Sequence, residues 1–323
     1  MLDKRLVFAL VVGLGGGMVA AAPVQAAIRI ERQLELAPGG QLIVRSSVGA
    51  VIVRGDSTSG AAVVVTSERD DFEKYYELRF SASPGRAEVI VKRRGPSWSI
   101  PFAWLGWRGR AQVAVSAPRA TSVSVHTGGG RIEASGLEGE IELGSSGGPV
   151  VAHDLAGALD ARSGGGKIEV RDLRGNLKLR SSGGGINAAS VEGGAEVESG
   201  GGRIHLERIG GSLHASSSGG GVTVHDAGGW VEASSAGGPV VVAFAAGNAR
   251  GGDLRSGGGG IQIFLDPAAG LELDTAGGSV ACDLPLTVRG KVTGGQALRG
   301  ELRGGGERLR IRSSGGGIRI AAL

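Results

Sequence analysis

Seven Ser or Thr residues recur at a constant step of 18 across residues 127–244: Thr127, Ser145, Ser163, Ser181, Ser199, Ser217 and Ser235. Glycine occupies the second and third positions after each anchor, as in Gly129-Gly130 and Gly165-Gly166. Five positions after the anchor stands Ile or Val, from Ile132 to Val240, and two further on another apolar residue, from Ala134 to Val242. This alternation is the period of a β-strand. A third apolar column follows at Leu137, Leu155, Leu173, Val191, Ile209, Ala227 and Ala245, and then an invariant glycine from Gly139 to Gly247. A second short strand, such as Ile141 with Leu143, closes each unit.

A unit this small cannot bury its own apolar face, so it must stack on its neighbours. Short strands and turns at fixed places favour parallel coils about 4.8 Å apart. The paired glycines mark either a positive φ or a close approach between coils. The anchor hydroxyls fall on the inward parity and are expected to form a ladder on turn backbone groups rather than a row of nucleophiles. A left-handed hexapeptide helix needs an inward aliphatic every six residues, yet Glu138, Ala156, Arg174 and Glu192 stand six after Ile132, Val150, Ile168 and Ile186. The calcium-binding nonapeptide needs Asp after its glycines, whereas Arg131, Pro149, Lys167, Gly185 and Arg203 occur here. The expected fold is therefore all-β, a right-handed parallel β-helix (β-solenoid) with coils of about 18 residues.

The 63 glycines and the scarcity of aromatics, 6 Phe, 4 Trp and 2 Tyr, could suit disorder, but strict apolar columns argue for a continuous core. Residues 1–26 read as a signal peptide: Lys4 and Arg5, an apolar run from Leu6, and Val24-Gln25-Ala26 before the cut. An uncleaved anchor is the alternative, although glycines at 13 and 15–17 make a poor spanning helix. Cleavage removes Asp3, Lys4 and Arg5 and leaves 33 basic and 30 acidic residues, a net charge of +3. That is too mild for nucleic acid. One outward column, Glu142, Asp160, Lys178, Glu196, His214, Glu232 and Arg250, mixes signs without a basic stripe. Cys282, the single cysteine, reads as a buried core thiol.

Residues 27–126 form an irregular N-terminal β region, and 127–323 the regular repeats. Ser46 to Val51 repeats the five-residue spacing, so a degenerate first coil is expected there, with Val63 and Val65 as its second strand. Asp70 and Glu73 fit a capping box for a short helix to about Arg79, although Leu78 and Phe80 also alternate as a strand would. Residues 87–91 read as a strand. Beyond Ser235 the anchors loosen to Ser256, Thr275, Thr293 and Ser313, with the extra residues expected in turns. Eleven successive anchors from Thr127 would build a rod on the order of 50 Å long. The last strand, at Ile318 and Ile320, ends either as a pairing edge open to end-to-end self-association or under a covering turn.

The chemically unusual stretch is 92–110. It carries Trp98, Phe102, Trp104 and Trp107 together with Lys92, Arg93, Arg94, Arg108 and Arg110, and no acidic residue. Trp with Arg suits a contact loop for an envelope protein, a glycan or a membrane surface. The structural alternative is a lid over the end or side of the solenoid. As candidate ligand- or partner-binding residues we take Trp98, Phe102, Trp104, Trp107, Arg108 and Arg110. Asp154 and Asp172 occupy one column and would lie about 5 Å apart, a separation used by retaining glycosidases. Each, however, precedes Leu at a turn, where Asp is ordinary. His153 and His225 share a column about 19 Å apart, so no single metal joins them, and the histidines do not gather. No cofactor, metal or catalytic motif stands out.

Residues 111–137, AQVAVSAPRATSVSVHTGGGRIEASGL, and the repeats that follow resemble a bacterial "putative adhesin" family of β-strand repeats, a domain of unknown function. The features are Ala117-Pro118, the Val123–Val125 alternation and the Ser/Thr-x-Gly-Gly-x-Ile/Val unit, and the likeness spans most of residues 40–323. The resemblance implies an exported β-solenoid, at the periplasm or cell surface, that acts as a non-enzymatic binding or scaffolding surface. It carries no catalytic residues to this chain, and the Trp-rich 92–110 segment departs from the family pattern. The alternatives are a carbohydrate-active β-helix using Asp154 and Asp172, and a self-assembling structural protein.

Overall fold

The structure is a computed structural model that describes residues 27–95, 111–288 and 296–323. Among them 28 strands join in one long sheet, accompanied by a one-turn helix. Two parallel ladders run along it. The first pairs Val51, Ile132, Val150, Ile168, Ile186, Ile204, Val222, Val240, Ile261 and Ile318 in that order. The second pairs the hydroxyl anchors Ser46, Thr127, Ser145, Ser163, Ser181, Ser199, Ser217, Ser235, Ser256 and Ser313. This is solenoid-like stacking, in which each rung lends its apolar face to the next.

The aliphatic columns form one core cluster, with Ile132, Leu143, Ile168, Leu179 and Leu206 wholly buried. Each such side chain contributes about 1.5–3 kcal/mol by leaving water. One expected core residue is displaced. A register shift places Phe244 rather than Ala245 beside Ala227, and Phe244 is 1% exposed. The following seven-residue connection absorbs the longer step to Ser256, and Asn248 Nδ2 secures it by donating to the Ala227 and Gly229 carbonyls at 2.5 and 3.0 Å.

The anchor hydroxyls do form a ladder. Ser163 Oγ accepts from Gly166 N at 2.9 Å and donates to Gly148 O, one rung below, at 3.0 Å. Ser145, Ser199, Ser217 and Ser235 repeat both bonds. Each buried hydroxyl thus satisfies an otherwise orphaned turn amide and a carbonyl. Of the two roles open to the paired glycines, close approach is the operative one, at the second glycine of the pair. A Cβ on Gly166 would stand 2.3 Å from the Gly148 backbone, and one on Gly130 would be closer still to Gly49 O.

Both ends close out of chain order. At the N-terminal end, Gln41–Ser46 and Ala50–Ser57 form the expected degenerate coil, stacked on Ser122–Thr127 and Ile132–Ser135. On its far side lie Arg86–Arg93 and Ala111–Pro118, later in sequence yet further out. Antiparallel strands then cover this rung. Tyr76–Ser83 pairs with Arg86–Arg93, Ala61–Ser67 with Ala111–Pro118, and Ile28–Leu34 with Ala61–Ser67. Val63 and Val65 therefore belong to this antiparallel cover and not to a coil. The helix expected to about Arg79 is only Phe72–Tyr75, with no side-chain cap. Leu78 and Phe80 lie on a strand because pairing with Val91 and Val89 outweighs a single capping signal. Phe72 stacks on Tyr76, the first residue of the covering strand, with ring centroids 4.9 Å apart.

At the other end Glu307–Ser313 pairs with Gly252–Ser256, and Ile318–Ala322 with Ile261–Leu265. Leu271–Ala276 and Val280–Cys282, earlier in sequence, lie outside that final coil. Thr275 is thus not the anchor after Ser256, and it pairs with Ile311, two short of the anchor register. Thr293 is outside the described residues. Among the described residues the anchor ladder from Thr127 onward therefore holds nine members, ending at Ser256 and Ser313. Ile318 and Ile320 are not an open edge, because Val280 and Cys282 pair on their far side. Ala297–Leu302 covers Leu271–Ala276 in antiparallel fashion. Cys282 sits on this outer rung, half-buried rather than enclosed, and burial raises its thiol pKa despite a contact with Leu284 O.

Candidate functional site

The six residues singled out by composition, Trp98, Phe102, Trp104, Trp107, Arg108 and Arg110, lie outside the described residues, as does the signal segment 1–26. Their described flanks, Arg86–Arg93 and Ala111–Pro118, make the N-terminal outer rung. Arg94 is held at that flank, its amide donating to Tyr75 O at 2.7 Å and its Nε to Tyr76 O at 3.3 Å.

Asp154 and Asp172 do stand on adjacent rungs, between the pairs His153–Arg171 and Leu155–Leu173. Both are exposed and have left-handed backbones, with φ of 53° and 55°. Ser190, Arg208 and Asp226 repeat that conformation in the same column at 57°, 54° and 59°. Asp tolerates this region better than most residues, which accounts for the pair as turn chemistry. Arg119 reaches Asp154 at 3.6 Å, while no shared hydrogen bond joins the two carboxylates.

The outward columns pair charges between rungs. Lys178 meets Glu196 at 2.7 Å, and Arg180 meets Glu196 and Glu198 at 2.9 and 3.0 Å. The hydrogen bond from Lys178 holds Glu196 below the usual carboxylate range, and Glu198 raises Arg180. Exposed pairs of this kind add little stability, because water and salt screen them. In the column of Glu232 the next member is Asp253, not Arg250, because the 245–251 connection shifts the count. The histidines are not all apart: His205 and His225 approach edge to face, with centroids 5.6 Å apart. No cluster of three metal-ligating side chains occurs among the described residues.

The feature that sequence reasoning missed is a groove of about 670 Å³ along the start of the second strands, from Gln41 and Ser122 to Trp230. Its floor is the edge of the core column Val123, Ile141, Leu159, Leu177, Ala195 and Leu213. One wall is the position just before that column, where Ala158, Gly194 and Ser212 are small and Glu140 and Asn176 polar. The other wall carries Glu142, Asp160, Lys178, Glu196 and His214. Trp230 ends the trough with 39% of its surface exposed. It also borders a second hollow, of about 420 Å³, with Arg250 and Glu307. The available signal was a large aromatic in a column otherwise filled by Ser, Glu, Ala, Asn and Gly.

No family model matches the chain, and no curated protein matches it. Solved structures that align with the chain include a "putative adhesin" from Bacteroides fragilis NCTC 9343, at 12% identity over 91% of this chain and 97% of that one, TM-score 0.38. A "putative adhesin" from Parabacteroides merdae ATCC 43184 is 8% identical over 90% and 95%, TM-score 0.40. A "putative lipid binding protein" from Parabacteroides distasonis ATCC 8503 is 12% identical over 90% and 96%, TM-score 0.41. Likeness at this level assigns no activity.

Proposed function

We propose that this chain is an exported, non-enzymatic, right-handed β-helix with coils of about 18 residues, serving as an adhesin-like binding surface in the cell envelope. The observation that carries the reading is the continuous groove across consecutive rungs, ending in an exposed tryptophan. Asp154 and Asp172 have left-handed backbones, with φ of 53° and 55°, a conformation ordinary for Asp at bends, and this supports the non-enzymatic reading. Among the described residues no helix is long and apolar enough to cross a membrane. In this reading residues 1–26 direct export, and the 92–110 aromatics supply a second contact.

The test is retention and placement. Cells producing the full chain with a C-terminal tag are labelled intact and after permeabilisation, and their adherence to immobilised polysaccharide is compared with that of a deletion strain. Labelling of intact cells, with adherence lost on deletion, supports the surface reading. Labelling only after permeabilisation removes adhesion and leaves an envelope scaffold. A glycan turnover abolished by Asp154→Ala with Asp172→Ala would overturn the non-enzymatic reading.

A further inference from the structure

We infer that the groove ending at Trp230 binds a linear, uncharged polysaccharide, laid along the rungs with one sugar ring stacked on the indole. The inference rests on the binding-surface reading and names its ligand class.

The main chain in the groove is already committed. Leu159 N donates to Asn176 O, Leu177 N to Gly194 O, Ala195 N to Ser212 O and Leu213 N to Trp230 O, at 2.9–3.0 Å. An extended peptide that recognises a sheet by backbone pairing therefore finds no free donors here. What the groove offers is side chains: carboxylates, an amide, a hydroxyl and an imidazole, repeated at a rung spacing of about 4.8 Å. That spacing is close to the length of one pyranose unit, so successive sugars meet successive rungs.

The charge balance selects among polymers. Glu140, Glu142, Asp160 and Glu196 line the walls with Lys178, and Arg162 and Arg180 pair with Asp160 and Glu196 at 2.7 and 2.9 Å. Four carboxylates against these three cations leave no basic stripe to attract polyuronates, nucleic acid or phosphate-bearing lipid. Hydroxyl groups, by contrast, donate to carboxylates in good geometry. The small wall residues Ala158, Gly194 and Ser212 leave room for the flat face of a sugar ring over the strand backbone. Trp230 supplies a rigid amphipathic surface with hollows on both sides of it.

Calorimetric titration of the full mature chain with cellohexaose, xylohexaose and chitohexaose tests this, with polygalacturonate as the polyanion. At least one neutral hexaose should bind one per chain with a dissociation constant below about 1 mM, and polygalacturonate should not. Trp230→Ala should weaken binding on the order of tenfold, and Trp230→Phe less. Should Trp230→Ala fold poorly by circular dichroism, Ala158→Arg at an exposed wall position blocks the trough and should abolish binding. Absence of binding by all three neutral oligomers, or binding indifferent to both substitutions, overturns the inference. If those titrations fail while cells still adhere, the ligand class is wrong and the binding reading stands. If adherence also fails, both fall.

Discussion

Ser313 stacks in register on Ser256, although the anchor-like Thr275 lies between them in sequence. The C-terminal coil is thus inserted between the rung that contains Ser256 and the strands that follow that rung in the chain. Ser313 Oγ completes the arrangement by donating to Gly259 O at 3.0 Å, the bond that Ser145, Ser163, Ser199, Ser217, Ser235 and Ser256 make to the rung beneath.

The inserted coil should carry stability out of proportion to its terminal position. Ile311 is fully buried, between Leu254 on one rung and Thr275 on the other. Ile311→Ala is expected to cost about 2–5 kcal/mol. Val288→Ala, at a residue 47% exposed, should be nearly neutral. Urea unfolding of both variants checks this, and equal midpoints would show that the terminal coil is not integral to the cooperative stack.

Adjacent glycines should respond oppositely to the same methyl group. A Cβ on Gly166 meets Gly148 backbone at 2.3 Å, whereas one on Gly165 meets only Gly147 O, at 4.0 Å. Gly166→Ala must force neighbouring rungs apart and should destabilise by more than about 3 kcal/mol. Gly165→Ala should be neutral or stabilise by about 0.5 kcal/mol through the unfolded chain. Thermal melts of the pair are sufficient, and a similar loss for both would contradict the close-approach assignment.

Asp274 makes the C-terminal end sensitive to acid. It pairs with Arg312 at 2.9 Å on the inserted coil and with Arg299 at 3.3 Å on the covering strand. Burial works to raise its pKa, but the Arg312 hydrogen bond and both positive charges outweigh it, and the carboxyl lies below the ordinary value. The folded pKa is therefore below the unfolded one. The resulting stability is complete above the unfolded Asp value, near 4, and is lost as pH falls through the folded value. Asp274→Asn should remove this contribution to the acid dependence and cost about 1.5–3 kcal/mol at pH 7. Denaturant midpoints from pH 7 down to pH 2 would show it, and an unchanged slope would detach Asp274 from the effect.

Asp172 should behave as a turn residue. With φ at 55°, Asp172→Asn should leave stability within about 0.5 kcal/mol. Asp172→Val should cost about 1–2 kcal/mol, because a β-branched side chain is strained in the left-handed region. A stability gain in the Val variant would refute this account of the column.

Within 127–244 the coil was legible residue by residue, because the same three demands recur at every rung: an inward aliphatic, a hydroxyl under the turn, and no Cβ where backbones meet. Even the role of Ser163 follows from parity. Where the repeat broke, parity remained but order did not. Val63 and Val65 alternate as coil residues do, yet they pair antiparallel with Val115 and Val113. The groove was hidden for a related reason: its walls come from columns whose members vary in chemistry, so Trp230 carried no periodic signal.

The amino-acid pattern alone determined the β class, the parallel stacking and the hydroxyl ladder, since each follows from local periodicity and from the steric need for glycine. Tertiary structure decided the order of the end rungs, their antiparallel covers and the concavity that Trp230 ends. Those features depend on which strand edges meet in space. A strand's own residues state which face is apolar, but its hydrogen-bonding edges are the same for every sequence, so the neighbour is chosen only when the whole stack closes.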